Sequence, residues 1–240
     1  MRATLKAYYA GQMMKPGLVG LFVNPFYFAR KALYQAMQEL GRELRGRVLD
    51  VGCGERPYEH LVNATHYVGL EIPGGKRVRA DVLYSGGSFP FADRSFDAVI
   101  CNQVLEHVFR PDAFLGEIAR VLTERGRLLV TVPFIWDEHE QPRDYARYSS
   151  FGVAALLQRN GFSILQQRKT AGDARVLFQL LNAYLYKLTS TRNAYLNLAA
   201  ALLLMAPVNV LGSLVALISP RNPDLFLDNV VLAERNVAPQ

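Results

Sequence analysis

A chain of 240 residues, 50% hydrophobic and with a formal charge of +6, is long enough for one large domain, or one domain plus an appendage. Its core needs no disulfide or metal staple, and its composition excludes a disordered chain, a collagen-like repeat and a coiled coil. Cys53 and Cys101 are too few and too separated for a disulfide framework or a zinc knuckle, so a reducing compartment is expected and no metal is.

Arg2 and Lys6 precede no apolar run closed by small residues, so no signal peptide is expected. Asn24-Pro25 followed by Ala29, Leu33, Met37 and Leu40 predicts a helix capped by Asn24, with Pro25 in its first turn. From Arg47 the period changes. Arg47–Val51 reads as a strand running into Gly52-Cys53-Gly54, and further strands are expected at His66–Ile72, Arg77–Val82 and Phe96–Cys101. Pro111–Arg125 predicts a helix with Phe114, Ile118, Val121 and Leu122 on one face and Gly126 as its stop. A strand at Arg127–Val132, a helix at Ser150–Asn160 and a strand at Phe162–Arg168 follow, and Asn229–Glu234 predicts a last core strand. Strands alternating with helices predict a parallel, doubly wound α/β sheet.

Residues 193–220 carry no charge. A bilayer span needs about 20 apolar residues, but Pro207 predicts a break into helices 194–206 and 208–219. Strands of one sheet on both sides would put both ends of the segment on one side of a membrane, which excludes a single span. Before it, Val176, Leu177, Leu180, Leu181, Tyr184, Leu185 and Leu188 form an amphipathic helical stripe. Residues 1–47 hold eight Lys or Arg against Glu39 and Glu43, and residues 174–223 hold four and no acid, leaving −4 for the rest. The expected division is an N-terminal helical region 1–46, a core 47–172, an apolar and basic helical insertion 173–224, and the last strand with its tail 225–240.

The glycine turn after the first strand lets a ligand approach the backbone without a Cβ in the way. Pro57 occupies the third glycine position of the dinucleotide fingerprint, so that pattern is not met. Glu71, ending the next strand, can accept both hydroxyls of an adenosine ribose. Asp81 follows the third strand and could accept from an adenine amino group. Asn102-Gln103-Val104-Leu105-Glu106-His107-Val108 ends the fourth strand at the edge where such sheets bind ligands.

Together, Asp50-Val51-Gly52-Cys53-Gly54, Glu71, Asp81, the Phe-Pro-Phe stretch at 89–91, Leu105-Glu106-His107-Val108 and Arg120-Val121-Leu122 resemble class I S-adenosylmethionine (SAM)-dependent methyltransferases of the small-molecule, type 11-like kind. The resemblance implies a Rossmann-like seven-stranded sheet whose last strand is antiparallel, with N-terminal helices and a hydrophobic helical insertion before that strand. It implies SAM as cofactor, held by Asp50, Gly52, Cys53, Gly54, Glu71, Ile72, Asp81, Val82, Asn102 and Gln103. The departure is Glu55-Arg56-Pro57, where many members carry another small residue.

The loop from Pro133 to Tyr148 is polar and aromatic, holds the only Trp, and is the expected acceptor site. Its His139-x-x-Pro142-x-Asp144-Tyr145-x-Arg147-Tyr148 pattern resembles a bacterial subgroup associated with cell-surface glycan or lipid biosynthesis. His139 is the expected general base for a hydroxyl acceptor, with Asp144 orienting it or binding the acceptor and His107 as a second candidate. Trp136, Arg143, Tyr145, Arg147 and Tyr148 are the expected acceptor-binding residues, Arg143 or Arg147 holding a phosphate or carboxylate. A structural network of His139, Asp144 and Arg147 is the competing reading.

Expected partners are a small-molecule, glycan or lipid-linked acceptor and an anionic membrane surface, with a homodimer or a lid over the acceptor also open for 174–223 and no nucleic acid. The expected location is cytoplasmic, peripheral on the inner face of the cytoplasmic membrane. Methylation of another small molecule or an amine, or a non-catalytic scaffold on this fold, are the alternatives.

Overall fold

The structure is a computed structural model that describes residues 2–74 and 78–237, with side chains from Tyr8 onward. In chain order the elements are α1 (Arg2–Met14), α2 (Gly20–Val23), α3 (Tyr27–Leu40), β1 (Arg45–Val51), β2 (Asn63–Glu71), β3 (Val82–Leu83), β4 (Phe96–Asn102), α4 (Pro111–Val121), β5 (Leu122–Pro133), α5 (Ser150–Arg159), β6 (Phe162–Lys169), α6 (Arg175–Thr189), α7 (Ala194–Ala200), α8 (Ala206–Ile218) and β7 (Asp228–Arg235). The chain divides into two compact units. A sheet unit comprises residues 36–134, 138–168 and 229–240, and a helical unit residues 1–35, 135–137 and 169–228.

The seven strands run in the order β3-β2-β1-β4-β5-β7-β6. Pairings from β3 through β5 are parallel, and the last strand is antiparallel. The resemblance implied this topology, and it explains why β1 and β4 read as near-continuous apolar runs: central parallel strands are covered on both faces. Leu49 and Val51 of β1, Val99 and Cys101 of β4, and Leu128 and Val130 of β5 are fully buried. The order reverses between β1 and β4, so their carboxyl ends flank a crevice.

Three local expectations are corrected. The helix expected to reach Arg125 stops at Val121, because Leu122 turns extended and pairs with Phe96, while Arg125 (φ +59°) bulges before Arg127 pairs with Ala98. The third strand is only Val82–Leu83; its expected start, Arg77, lies outside the described residues. Here the Arg79 N–H goes to the Gly54 carbonyl (2.8 Å) and the Asp81 N–H to Gly69 (2.9 Å). Asn24 does accept the Phe26 N–H (2.8 Å), but the regular helix starts later, at Tyr27.

A fourth correction concerns Pro207. Ala194–Ile218 is one continuous 25-residue helix with no break. A proline lacks an N–H and clashes with the carbonyl four residues back. A π-helical turn at Ala201–Met205 precedes Pro207 and widens the helix where the clash would fall.

In the helical unit, α8 packs on α6, and α2 on α8 and the π turn. A buried amide network ties them. Asn182 donates to Asn209 Oδ1 (2.8 Å), and Asn209 donates to the carbonyls of Leu21 (2.9 Å) and Asn24 (3.1 Å). Gln179 donates to the Pro25 carbonyl (3.0 Å) and accepts the Ala29 N–H (3.1 Å). Buried amides are costly unless satisfied, so these contacts fix one register of α6 against the long helix. A Cβ on Gly212 would meet Phe178 at 2.8 Å and Phe28 at 2.9 Å, so glycine permits the close approach.

Candidate active site

At the carboxyl ends of β1, β2 and β4 the sheet unit holds a cleft of about 630 Å³, lined among others by Gly52, Glu71, Ile72, Tyr84, His107 and Arg143. This volume lies within the usual range for small-molecule sites. Gly52 adopts φ +71°, and a Cβ there would meet Val104 Cγ2 at 2.4 Å, so only glycine fits. Gly54 (φ +49°) has nothing within 4 Å of a Cβ position and leaves open space beside the turn.

Glu71 closes β2 with its carboxylate held by two backbone N–H groups, Gly54 to Oε2 (3.0 Å) and Ile72 to Oε1 (3.0 Å). A carboxylate oxygen has more than one lone pair, so each can still accept a hydroxyl. An open glycine turn beside a pre-aimed carboxylate fits the ribose and methionine portions of SAM.

Asp50 lies beneath this turn and accepts from the Tyr67 hydroxyl (2.6 Å). Burial pushes its carboxyl up to about 7, against the lowering pull of Tyr67 and Arg56. Because the folded chain holds this proton more tightly than the unfolded chain, Asp50 stabilises the fold fully at acid pH. That contribution is lost as pH rises from about 4 through about 7. Asp50→Asn is therefore expected to gain stability relative to the parent between pH 5 and pH 9, by up to about 3 kcal/mol, measured by urea unfolding without cofactor. A parallel pH dependence in both proteins would refute it.

Other expected cofactor residues are not among those lining this cleft. Cys53 is buried and its thiol is pushed up to about 11 by desolvation, with Asp50 and Glu71 adding to it, so it is a packing group rather than a nucleophile. Asp81 accepts the Gly69 N–H (2.8 Å) and pairs with Arg56. Val82 packs at the edge of the core. The Asn102 and Gln103 side chains both meet the Thr131 hydroxyl (2.8 and 3.2 Å), which shapes the turn after β4. The Arg56–Asp81 pair is absent from the sequence reading; the non-small residue at 56 was its only signal. Arg56 sits at φ +56°, a conformation that favours glycine, with its guanidinium 5.7 Å from the Tyr67 ring centre.

The acceptor loop is folded onto the turn after β4. The N–H groups of Tyr145 and Ala146 donate to the Glu106 carbonyl (2.8 and 3.3 Å), and the His107 ring meets the His139 ring edge-on at 4.8 Å. Asp144 is nearly buried. It binds Arg147 through both oxygens (2.5 and 2.7 Å), accepts the His139 N–H (2.9 Å), and lies 3.3 Å from His139 Nδ1. Arg147 holds its carboxyl far below the usual carboxylate range. His139, Asp144 and Arg147 therefore form a joined network.

His107 is the imidazole that lines the cleft. Its Nδ1 lies 2.7 Å from the Arg143 carbonyl. A carbonyl only accepts, so Nδ1 carries the proton and Nε2 keeps its lone pair. Burial lowers the His107 pKa, opposed by the Arg143 carbonyl and reinforced by His139. Nε2 stands 3.8 Å from the buried Glu106 carboxylate. Glu106, His107 and His139 also offer ligand atoms within 4.8 Å of one another, which makes them the residues able to hold a metal ion among those described.

Of the expected acceptor residues, Arg143 lines the cleft. Tyr145 is half exposed against Phe109 (5.3 Å), and the Tyr148 N–H donates to the Pro133 carbonyl (3.2 Å). Trp136 belongs to the helical unit, where its ring meets Phe26 at 5.8 Å.

A family model described as a methyltransferase domain matches residues 26–167. A probable S-adenosylmethionine-dependent methyltransferase of Mycolicibacterium smegmatis is 30% identical over 125 residues, 48% of each chain. The chain spans about half the length of the first curated relatives it matches. Among solved structures, the [4+2]-cyclase SpnF aligns with TM-score 0.57 at 20% identity, covering 86% of this chain and 81% of that one. Phosphoethanolamine N-methyltransferase 2 of Haemonchus contortus, in complex with S-adenosyl-L-methionine, aligns with TM-score 0.55 at 15% identity over 95% of this chain and 59% of that one.

Proposed function

This chain belongs to the methyltransferase-domain family, and from that premise we propose that it is a SAM-dependent enzyme that methylates a hydroxyl of a glycan or lipid-linked intermediate at the inner face of the cytoplasmic membrane. The observation that carries the reading is His107, a neutral imidazole lining the same cleft as Gly52 and Glu71.

SAM supplies a methyl group on a sulfonium, an activated donor that leaves as a neutral thioether. Glu71 takes the ribose hydroxyls, and the backbone of Gly52-Cys53-Gly54 takes the methionine portion. The residues then have to align an acceptor oxygen for in-line attack, a gain that is mainly entropic. With the methyl group transferred from the sulfonium to the acceptor oxygen, His107 Nε2 would take the O–H proton, and the neutral thioether would be the leaving group. The resulting imidazolium is held by the Arg143 carbonyl at Nδ1 and by Glu106 beside Nε2. Arg143 offers its guanidinium to a phosphate or carboxylate of the acceptor. His139, Asp144 and Arg147 are positioning residues: they fix the loop whose 143 carbonyl orients His107.

The test is incubation with SAM carrying an isotope-labelled methyl group and fractionated polar and lipid extracts, followed by mass spectrometry. A labelled methyl ether is the expected product. Label confined to amines would overturn the hydroxyl assignment.

A further inference from the structure

The helical unit buries one side of its long helix and leaves the other apolar and open. Ala201, Met205, Ala206, Asn209 and Gly212 face inward, and all are buried. Leu196, Leu203, Leu211, Leu214 and Ile218 are 58, 74, 53, 57 and 87% exposed. They recur at spacings of seven, eight, three and four, one face of a helix. On α6, Leu177, Leu181, Tyr184 and Leu188 form a second exposed stripe at helical spacing. Leu18, Val19 and Phe22, in or beside α2 that packs on α8, add to it. A soluble monomer rarely exposes so many large apolar side chains together.

Charge says what covers this face. By sequence the helical unit holds ten Lys or Arg against four Asp, so the whole formal excess of +6 resides there and the sheet unit is neutral. Between Ala174 and Pro223 there is no acid at all. The basic residues bracket the stripes: Lys187 and Arg192 flank the turn between α6 and α7, and Arg175 and Arg221 mark the opposite ends. Two of the four Asp are spent on these cations, Asp137 on Lys187 (2.8 Å) and Asp173 on Arg175 (2.5 Å). Ala194–Ile218, whose most apolar 18 residues have mean hydropathy 2.3, is long and apolar enough to cross a membrane by length and composition. However, α6 and the long helix form a hairpin whose turn carries two cations, and inserting it end-on would drag Lys187 and Arg192 through hydrocarbon.

We propose that the exposed face of α6, α7 and α8 is a monotopic membrane dock: the hairpin lies flat in an anionic lipid surface, with its leucines among the acyl chains and its end cations at headgroup level. Apolar stripes in a net basic unit suit such a leaflet, to which its excess positive charge adds attraction. A protein partner of this charge pattern would need an acidic rim around an apolar groove, whereas an anionic bilayer supplies both at once. The inference does not depend on the acceptor's identity.

Flotation of the intact chain with vesicles tests it, since this readout needs no turnover. Binding is expected to be about tenfold stronger to vesicles containing phosphatidylglycerol than to pure phosphatidylcholine, and to weaken with salt. The double variant Leu203→Glu and Leu214→Glu alters exposed positions only. It should keep its circular dichroism spectrum and SAM affinity while its partition falls at least about tenfold. Absence of flotation by the parent chain, or undiminished flotation of the variant, overturns the proposal. So does a parent dimer that the variant dissolves, which would assign the face to a second copy.

Discussion

His107→Ala is expected to lower kcat by about a hundredfold to ten-thousandfold, the range for loss of a positioned general base, with the SAM dissociation constant unchanged. The imidazole lines the cleft, and its Nδ1 is committed to the Arg143 carbonyl at 2.7 Å. In the proposed mechanism Nε2 is the proton acceptor. Because burial depresses its pKa below 6.5, the acid limb of the kcat/KM profile should fall below that pH in the parent chain and vanish in His107→Gln. Asp144→Asn should produce a smaller loss, in kcat more than in KM, because Asp144 acts only through Arg147, His139 and the loop. Equal kcat values for His107→Gln and the parent chain would remove His107 from the chemistry.

Glu71→Ala is expected to weaken SAM about a hundredfold or more. Hydrogen bonds to a charged group contribute about 1.5–3 kcal/mol each, and this carboxylate is the proposed acceptor of two ribose hydroxyls. Its removal also leaves the Gly54 and Ile72 N–H groups without their acceptor. Calorimetric titration of parent and variant with SAM gives the ratio directly. An affinity within a factor of two would contradict the assignment.

The parts of this site that are legible in the sequence are those fixed by local pattern. Gly52 and Glu71 end two strands whose apolar runs announce them, and the positive φ at Gly52 is a demand that only glycine meets. The remainder depends on contacts far apart in the chain. His139 reads as the base because its motif is dense in polar residues, yet the loop folds so that His107 borders the cleft and His139 stands against it. That order is set by the Glu106 carbonyl taking the N–H groups of residues 145 and 146, which no spacing rule encodes. Asp81 faces Arg56 for the same reason. Pro207 illustrates the opposite failure: the local rule predicts a break, but the adjacent π turn and the buried Asn209 contacts keep the helix whole.

In the proposed reading SAM occupies the cleft beside Gly52 and Glu71. Amide hydrogen exchange with and without SAM tests it most directly. Slowed exchange is predicted at Gly54 and Ile72, whose N–H groups already bind Glu71, and in the turn from Leu105 to Val108 that follows β4. Saturating SAM that leaves these amides unchanged while protecting another part of the chain would contradict the account.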